Sequence, residues 1–92
     1  MTEAPIEKTV CNLAEADGWL VRKLQWVARK GAPDRLFAKD GRVILIEFKS
    51  AAGELSELQK REINKLHKAG IEAYVVSDVF SGLRLLGVKR FK

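Results

Sequence analysis

The first third of the chain begins with apolar residues at helical spacing. This pattern predicts a helix over roughly residues 3 to 16. Thr2 stands where an N-cap is expected, and Gly18 follows where a glycine commonly ends a helix. The apolar residues on the predicted face are Ile6, Val10, Leu13 and Ala14.

The pattern then changes to short β-rich runs. Residues 19–27 (WLVRKLQWV) contain both tryptophans, and residues 35–39 (RLFAK) and 42–49 (RVILIEFK) flank the dipeptide Asp40-Gly41. This dipeptide is typical of a two-residue type I′ turn between antiparallel strands. Three successive strands are therefore predicted, the last two forming a hairpin.

The second half returns to helical spacing. A helix is predicted from Ser56 to about Ala69, ending at Gly70, followed by a strand in residues 71–77 (IEAYVVS) and a short helix in residues 78–87. The predicted order of elements is α-β-β-β-α-β-α.

The hairpin determines which charged residues face each other. If the Asp-Gly pair forms the loop, Lys39 faces Arg42, and facing residues have numbers that sum to 81. Asp34 then lies directly opposite Glu47. A three-residue loop or a bulge would shift this register by one and turn Asp34 away.

Lys49 shares a face of its strand with Glu47, because side chains alternate along a strand. Two carboxylates opposite each other repel, so the pair needs a compensating cation. Lys49 supplies one positive charge, and a hard divalent ion with oxygen ligands would supply the rest. Taken singly, each acid is also consistent with a partly solvated strand residue paired with a lysine.

Two further polar residues lie on faces that are otherwise apolar. Glu7, beside the apolar stripe of the first helix, could reach inward past the sheet edge, or could be a first-turn acid that complements the helix dipole. Gln59 lies on the sheet-facing side of the second predicted helix, where a polar group needs a partner. It is also the N3 residue of a capping box that begins at Ser56.

Three other side chains have simpler structural interpretations. His67 is expected to be a packed or surface histidine. Trp19 and Trp26 are expected to be core or interface anchors, with a base-stacking role left open. The single cysteine, Cys11, has no partner for a disulfide or a zinc site and is expected to be buried.

Composition limits the class of protein. A chain of 92 residues, 47% hydrophobic and 32% charged, is expected to form a single compact domain over residues 1–92. No apolar run is long enough to cross a bilayer and no signal peptide is indicated, so no membrane association and a cytoplasmic location are expected. The net charge of +5 makes an anionic partner plausible.

The motifs together resemble a known family. Pro33-Asp34, followed after twelve residues by Glu47-Phe48-Lys49, looks like the PD-(D/E)xK nuclease signature. More narrowly, the segments GAPD, LIEFKSAAGELSELQ and LHKAGIEAYVV resemble the VRR-NUC family over roughly residues 5 to 78. Ser50 stands where relatives often have glycine, a difference that changes no metal ligand.

The resemblance implies an α/β fold of the restriction-endonuclease type, with an αβββαβ core and a mixed central sheet flanked by helices. It also implies Mg²⁺ or Mn²⁺ bound by Asp34, Glu47 and the main-chain carbonyl of Phe48, with Glu7 binding directly or through water. Lys49 would orient or deprotonate the attacking water. Gln59 would position Lys49 or that water.

The expected function is a metal-dependent, structure-selective endodeoxyribonuclease acting as a homodimer on branched DNA such as four-way junctions. The expected apolar material for the dimer interface is Trp19, Trp26, Phe80, Leu83, Leu85 and Leu86, with core packing as the default for any one of them. Two alternatives remain open at this point. One is a non-catalytic nucleic-acid-binding or assembly module on the same fold, and the other is an unrelated α/β protein with a coincidental signature.

Overall fold

The computed structural model describes residues 3–89 and confirms the predicted order of elements. The predicted N-cap, Thr2, lies outside the described residues. None of the described helices is long and apolar enough to cross a membrane. The elements are α1 (Glu3–Ala16), β1 (Leu20–Lys23), β2 (Arg35–Lys39), β3 (Arg42–Phe48), α2 (Glu57–Lys68), β4 (Glu72–Val76) and α3 (Val79–Leu85).

The four strands form one mixed sheet in the order β1-β2-β3-β4. β2 is antiparallel to both β1 and β3, whereas β4 runs parallel to β3. A parallel pair cannot be joined by a tight turn, and α2 is the crossover between these two strands. The sheet therefore matches the expected α/β architecture.

The hairpin between β2 and β3 has the predicted register. Asp40 and Gly41 have φ values of +50° and +82°, and a type I′ turn needs a positive φ at both positions. Lys39 pairs with Arg42 and Arg35 with Ile46, as the two-residue loop requires. The turn sequence thus determines which residues of β2 lie beside those at the end of β3.

The core fills the space between one face of the sheet and the helices α1 and α3. Cys11 is buried there as a free thiol, as predicted, and burial raises its pKa to about 11. Buried apolar side chains of α1, α3 and the sheet meet in this core: Ile6, Val10, Phe37, Ile44, Ile46, Phe48, Val76 and Leu83.

The strand predicted in the tryptophan-containing region was wrong in its extent. The strand β1 ends at Lys23 instead of continuing through residue 27, because Trp26 leaves the sheet to donate a hydrogen bond to Glu62 of α2. Within the set offered for an interface, three residues follow the default of core packing. Trp19, Leu83 and Leu86 are buried in the core of the chain itself, so they are not surface residues available to a partner.

Candidate active site

The two acids predicted to face each other lie side by side at one end of the sheet. Asp34 immediately precedes β2, and the pairing of Arg35 with Ile46 brings it level with Glu47. The Asp34 Oδ2 atom accepts a hydrogen bond of 2.7 Å from the main-chain N–H of Phe48. The chain around Asp34 is thus tied to the end of β3, which fixes the carboxylate at the site.

Lys49 lies beside this pair. Its Nζ atom is 3.8 Å from Glu47 Oε2, and both side chains are largely shielded from solvent. The Lys49 N–H donates to the carbonyl oxygen of Val76, which extends the parallel ladder past the end of β3. The ladder fixes the backbone of Lys49 and so directs the ammonium group toward the carboxylates.

The environment disfavours the charged forms of both carboxyl groups. Burial is the main cause that raises the pKa of Glu47 to about 7, with the charge of Asp34 adding to it and Lys49 opposing it. The pKa of Asp34 is also raised by burial, although the hydrogen bond from Phe48 acts in the opposite direction. The site therefore carries unfavourable negative charge that Lys49 does not fully offset.

Gln59 connects α2 to the acid pair. Its side-chain nitrogen donates to Glu47 Oε2 at 2.8 Å. Its side-chain oxygen accepts from the Ser56 N–H at 2.9 Å, and its own N–H donates to Ser56 Oγ at 3.1 Å. Both sequence interpretations of Gln59 therefore hold, since it completes the capping box and also holds Glu47. Its expected action on Lys49 or on water stays a prediction.

Glu7 approaches the site from α1 but is bound to another residue. Its Oε2 accepts a hydrogen bond of 2.6 Å from Arg35 Nε. The charge of Glu7 raises the pKa of Asp34, whereas Glu3, one helical turn earlier, raises the pKa of both Asp34 and Glu47. Sequence reasoning missed Glu3, although its spacing of four from Glu7 places both on one side of α1.

The donor set suits a hard divalent cation, but it is small. Asp34 and Glu47 provide carboxylate oxygens, the ligands that Mg²⁺ and Mn²⁺ prefer. A cation between them would also relieve the repulsion of the two carboxylates. Phe48 already lies against Asp34 through its main chain. Across residues 3–89, no cluster of three or more Asp, Glu, His or Cys side chains is arranged to hold a metal. The residues thus fit a cation held by two carboxylates, with other ligands from main chain or water.

The remaining candidates have structural roles. His67 Nε2 lies 2.7 Å from the carbonyl oxygen of Ala73, so this histidine ties α2 to β4 as the simpler interpretation predicted. Trp26 bonds to Glu62, a buried acid of α2 that sequence reasoning did not single out. The available signal was its position in the stripe Leu58, Glu62, Leu66 at intervals of four.

Comparison with known proteins agrees with this arrangement. The family model described as the VRR-NUC domain matches residues 11–79. A solved structure described as a VRR_NUC domain is 31% identical and superposes with a TM-score of 0.84, covering 92% of this chain and 94% of that one. Another, described as a VRR_NUC domain protein, is 18% identical with a TM-score of 0.80, covers 95% and 86% of the two chains, and shows likeness of fold alone. The search of curated proteins found no match. The chain belongs to the VRR-NUC domain family.

Proposed function

We propose that the protein is a metal-dependent endonuclease that hydrolyses DNA phosphodiester bonds at the site formed by Asp34, Glu47 and Lys49. One observation carries the proposal: two adjacent, mostly shielded carboxyl groups with raised pKa lie within reach of a lysine. A fold that needed only stability would gain nothing from this repulsion. A binding surface for phosphate would not present two carboxylates to it.

Asp34, Glu47 and the main-chain carbonyl of Phe48 are the groups that would hold Mg²⁺ or Mn²⁺. When bound, the ion would supply positive charge at the reacting phosphate and lower the pKa of a bound water. The neighbouring residues position these ligands. The Phe48 N–H holds Asp34 and the Gln59 amide holds Glu47, so both carboxylates are oriented before substrate arrives.

Lys49 is the proposed group for the attacking water. Its ammonium lies near Glu47, where it can orient a water molecule and offset charge that develops on the phosphate oxygens. To act as a general base it must first lose its proton. In the proposed reaction the neutral Lys49 amine accepts a proton from water as the water oxygen attacks phosphorus. The bond from phosphorus to the sugar oxygen breaks with its electron pair left on that oxygen, which takes a proton from a solvent water.

Glu7 is proposed to act through water. Direct coordination would require its 2.6 Å hydrogen bond with Arg35 to break. Through its charge it already affects Asp34. The charge of Glu3 raises the pKa of both Asp34 and Glu47, so Glu3 is the second residue of α1 to test.

Branched DNA is the proposed substrate, cut by a homodimer. The support for a dimer is an open region of the sheet, on the face opposite α1 and α3. There Leu20, Ala38 and Val43 form one cross-strand row, and Leu20 and Val43 are 47% and 44% exposed. A two-fold pair through this face would present two sites of opposite polarity, which suits paired cuts across a junction.

The experiment is cleavage of end-labelled linear, flapped and four-way DNA with Mg²⁺, Mn²⁺ or EDTA. We expect cleavage with either ion, none in EDTA, and a preference for the branched substrates. Asp34→Asn and Lys49→Ala should each lower the rate by about 100-fold or more, the usual cost of losing transition-state stabilisation.

Matched controls separate chemistry from folding. Asp40→Asn makes the same change at the turn of the same hairpin, where asparagine tolerates the positive φ. Lys60→Ala removes a lysine that pairs only with an exposed glutamate among its described contacts. Both controls should cleave normally. Full activity of Asp34→Asn and Lys49→Ala would refute the proposal, and binding without any cleavage by the wild type would favour the non-catalytic module.

A further inference from the structure

The segment between β1 and β2, residues 24–34, starts and ends beside the proposed catalytic pair. The Leu24 N–H donates a hydrogen bond of 3.0 Å to the carbonyl oxygen of Asp34, which closes the base of the loop. We refer to this segment as the 24–34 loop. Because one of the two acids forms its base, DNA bound at the acids would lie near the loop.

A buried acid holds this loop against α2. The Glu62 side chain is only 8% exposed. It accepts a 2.8 Å hydrogen bond from Trp26 Nε1 and forms an ion pair with Arg29 at 3.3 Å. Lys65 of α2 lies 3.8 Å from the same carboxylate. The hydrolytic mechanism gives Glu62 no part, yet burying a carboxylate is costly unless it is paired. The contacts of Glu62 with Trp26 and Arg29 hold the loop in a fixed position against α2.

Close packing at Gly31 adds to this attachment. A Cβ at this position would lie 2.8 Å from Glu62 Cγ and 3.3 Å from Leu58 Cγ, so only glycine permits the approach. Gly31 also has a φ of +96°, which favours glycine. The loop is therefore attached to the half of α2 that also carries Gln59.

The attached loop presents one apolar side chain between polar ones. Val27 is 93% exposed, and Ala28 beside it has a φ of +64°, a conformation that alanine adopts only at a cost in energy. Arg29 and Lys30 follow and are also exposed. A strained, anchored turn that exposes a valine ahead of two cations fits a nucleic acid, because apolar side chains can insert at base steps while cations bind phosphates.

We propose that the 24–34 loop contacts DNA, with Val27 inserted at an unstacked base step and Lys30 on an adjacent phosphate, and that the contacts of Glu62 with Trp26 and Arg29 hold the loop in place. This rests on the proposed function and deepens it. A branch point offers bases that are already partly unstacked, so insertion of Val27 costs least there. The loop would thereby contribute to the preference for branched substrates.

The test uses the full chain and a four-way DNA carrying 2-aminopurine at the branch point, in EDTA so that the DNA stays intact. Binding is measured by anisotropy, and unstacking by the rise in 2-aminopurine fluorescence. We expect Val27→Ser to lose most of the fluorescence rise. Lys30→Ala should bind several-fold more weakly, with a salt dependence lower by about one counterion. Ile71→Ser, which alters an exposed apolar residue at the opposite end of the sheet from Glu47, is the control and should behave as wild type.

The anchoring role has its own variants. Glu62→Gln should lower both signals, and Trp26→Phe, which keeps a ring but removes the N–H donor, should do the same if the protein melts as a folded chain. Wild-type fluorescence and affinity in Val27→Ser and Lys30→Ala, in a protein that still cleaves DNA, would overturn the loop proposal and leave the nuclease proposal intact. Absence of any DNA binding or cleavage by the wild type would overturn both.

Discussion

At the scale of single residues, the most informative group is Glu47. It is almost wholly buried, it is held by Gln59, and its pKa is raised to about 7 by burial and by the charge of Asp34. A carboxyl group whose pKa is higher in the folded than in the unfolded state favours folding while it is protonated. This contribution is lost when the group ionises. The metal-free protein should therefore be sensitive to pH near neutrality.

The stability of the metal-free protein should fall as pH rises through neutrality. The contribution of Glu47 is fully present below its unfolded value of about 4.5 and is lost as pH rises through about 7. We expect the free energy of unfolding of the metal-free protein to fall by roughly 2.5 kcal/mol from this group between pH 5 and pH 8, since one pKa unit corresponds to about 1.4 kcal/mol and part of the effect is already lost at pH 5. Asp34, whose pKa is also raised, contributes with the same sign.

Urea unfolding in EDTA at several pH values is the measurement, with Glu47→Gln as the comparison. The difference between wild type and variant isolates this group from others that titrate in the same range. Adding millimolar Mn²⁺ should restore stability in the wild type at pH 8, because an ion bound only to the folded state stabilises it. A wild-type curve parallel to that of Glu47→Gln would show that Glu47 titrates normally.

Much of the residue-scale arrangement could be predicted, and the reason is local. A two-residue turn at Asp40-Gly41 fixes the register, so the adjacency of Asp34 and Glu47 follows from counting. The bond between Trp26 and Glu62 could not be found in that way, because its partners are 36 residues apart and belong to no common turn or strand pair.

At the scale of elements, α2 combines stability with site geometry in a single turn. Ser56 and Gln59 form the capping box, and the same Gln59 side chain holds Glu47. The helix is otherwise weakly buried, with Glu62 as its only buried residue. Its position relative to β3 therefore depends strongly on this polar connection.

Substitutions at the two capping residues should separate these roles. Ser56→Ala removes only the cap and should lower the free energy of unfolding by about 1 kcal/mol while leaving kcat unchanged. Gln59→Ala keeps the main-chain N–H that donates to Ser56 Oγ, but it removes the side-chain half of the capping box and the bond to Glu47, so stability and kcat should both fall. Thermal melts and cleavage assays at saturating DNA provide the comparison. Equal kcat values for the two variants would mean that Gln59 acts only as a capping residue.

Element boundaries follow local sequence where glycine or a cap determines them and deviate where tertiary contacts act. The helix α2 ends at Lys68 with Gly70 at a φ of +82°, close to the prediction. The strand β1 is shorter than predicted, because residues with high β propensity, including Trp26, are used to attach a loop to a helix. Propensity describes how well a residue fits a sheet, and here a buried acid elsewhere competes for it.

At the scale of the whole molecule, the two faces of the sheet are used differently. α1 packs against β1 and β3 and α3 against β4, which buries Phe37, Ile44 and Ile46 on one face. On the other face α2 packs against β4, and no described helix covers β1 and β2. Leu20 and Val43 remain exposed there. Together with Ala38 they form an apolar row across the three antiparallel strands.

Because the two faces differ, the proposed dimer interface is the open face of the sheet and not the set of residues expected from the sequence. Sequence reasoning chose large apolar residues without knowing which face each occupied, and half of the chosen set, Trp19, Leu83 and Leu86, is buried in the core. Phe80, 55% exposed on α3, is the chosen residue that is most exposed among those described. The open face of the sheet is the better candidate, since a second copy placed on it would bury the row of Leu20, Ala38 and Val43 symmetrically.

Val43→Glu should therefore convert the protein from dimer to monomer, because it places an acid next to its symmetry mate at the centre of an apolar contact. Phe80→Glu makes the same chemical change on the helix-covered side and should leave the dimer intact. Light scattering at micromolar protein measures the mass, and melting temperatures show whether each variant is folded. Dissociation by Phe80→Glu alone would place the interface on α3, whereas a monomeric wild type would refute the dimer itself. If the dimer is what makes paired cuts, monomeric Val43→Glu should still nick four-way DNA but should lose the simultaneous second cut, which native and denaturing gels of the same reaction distinguish.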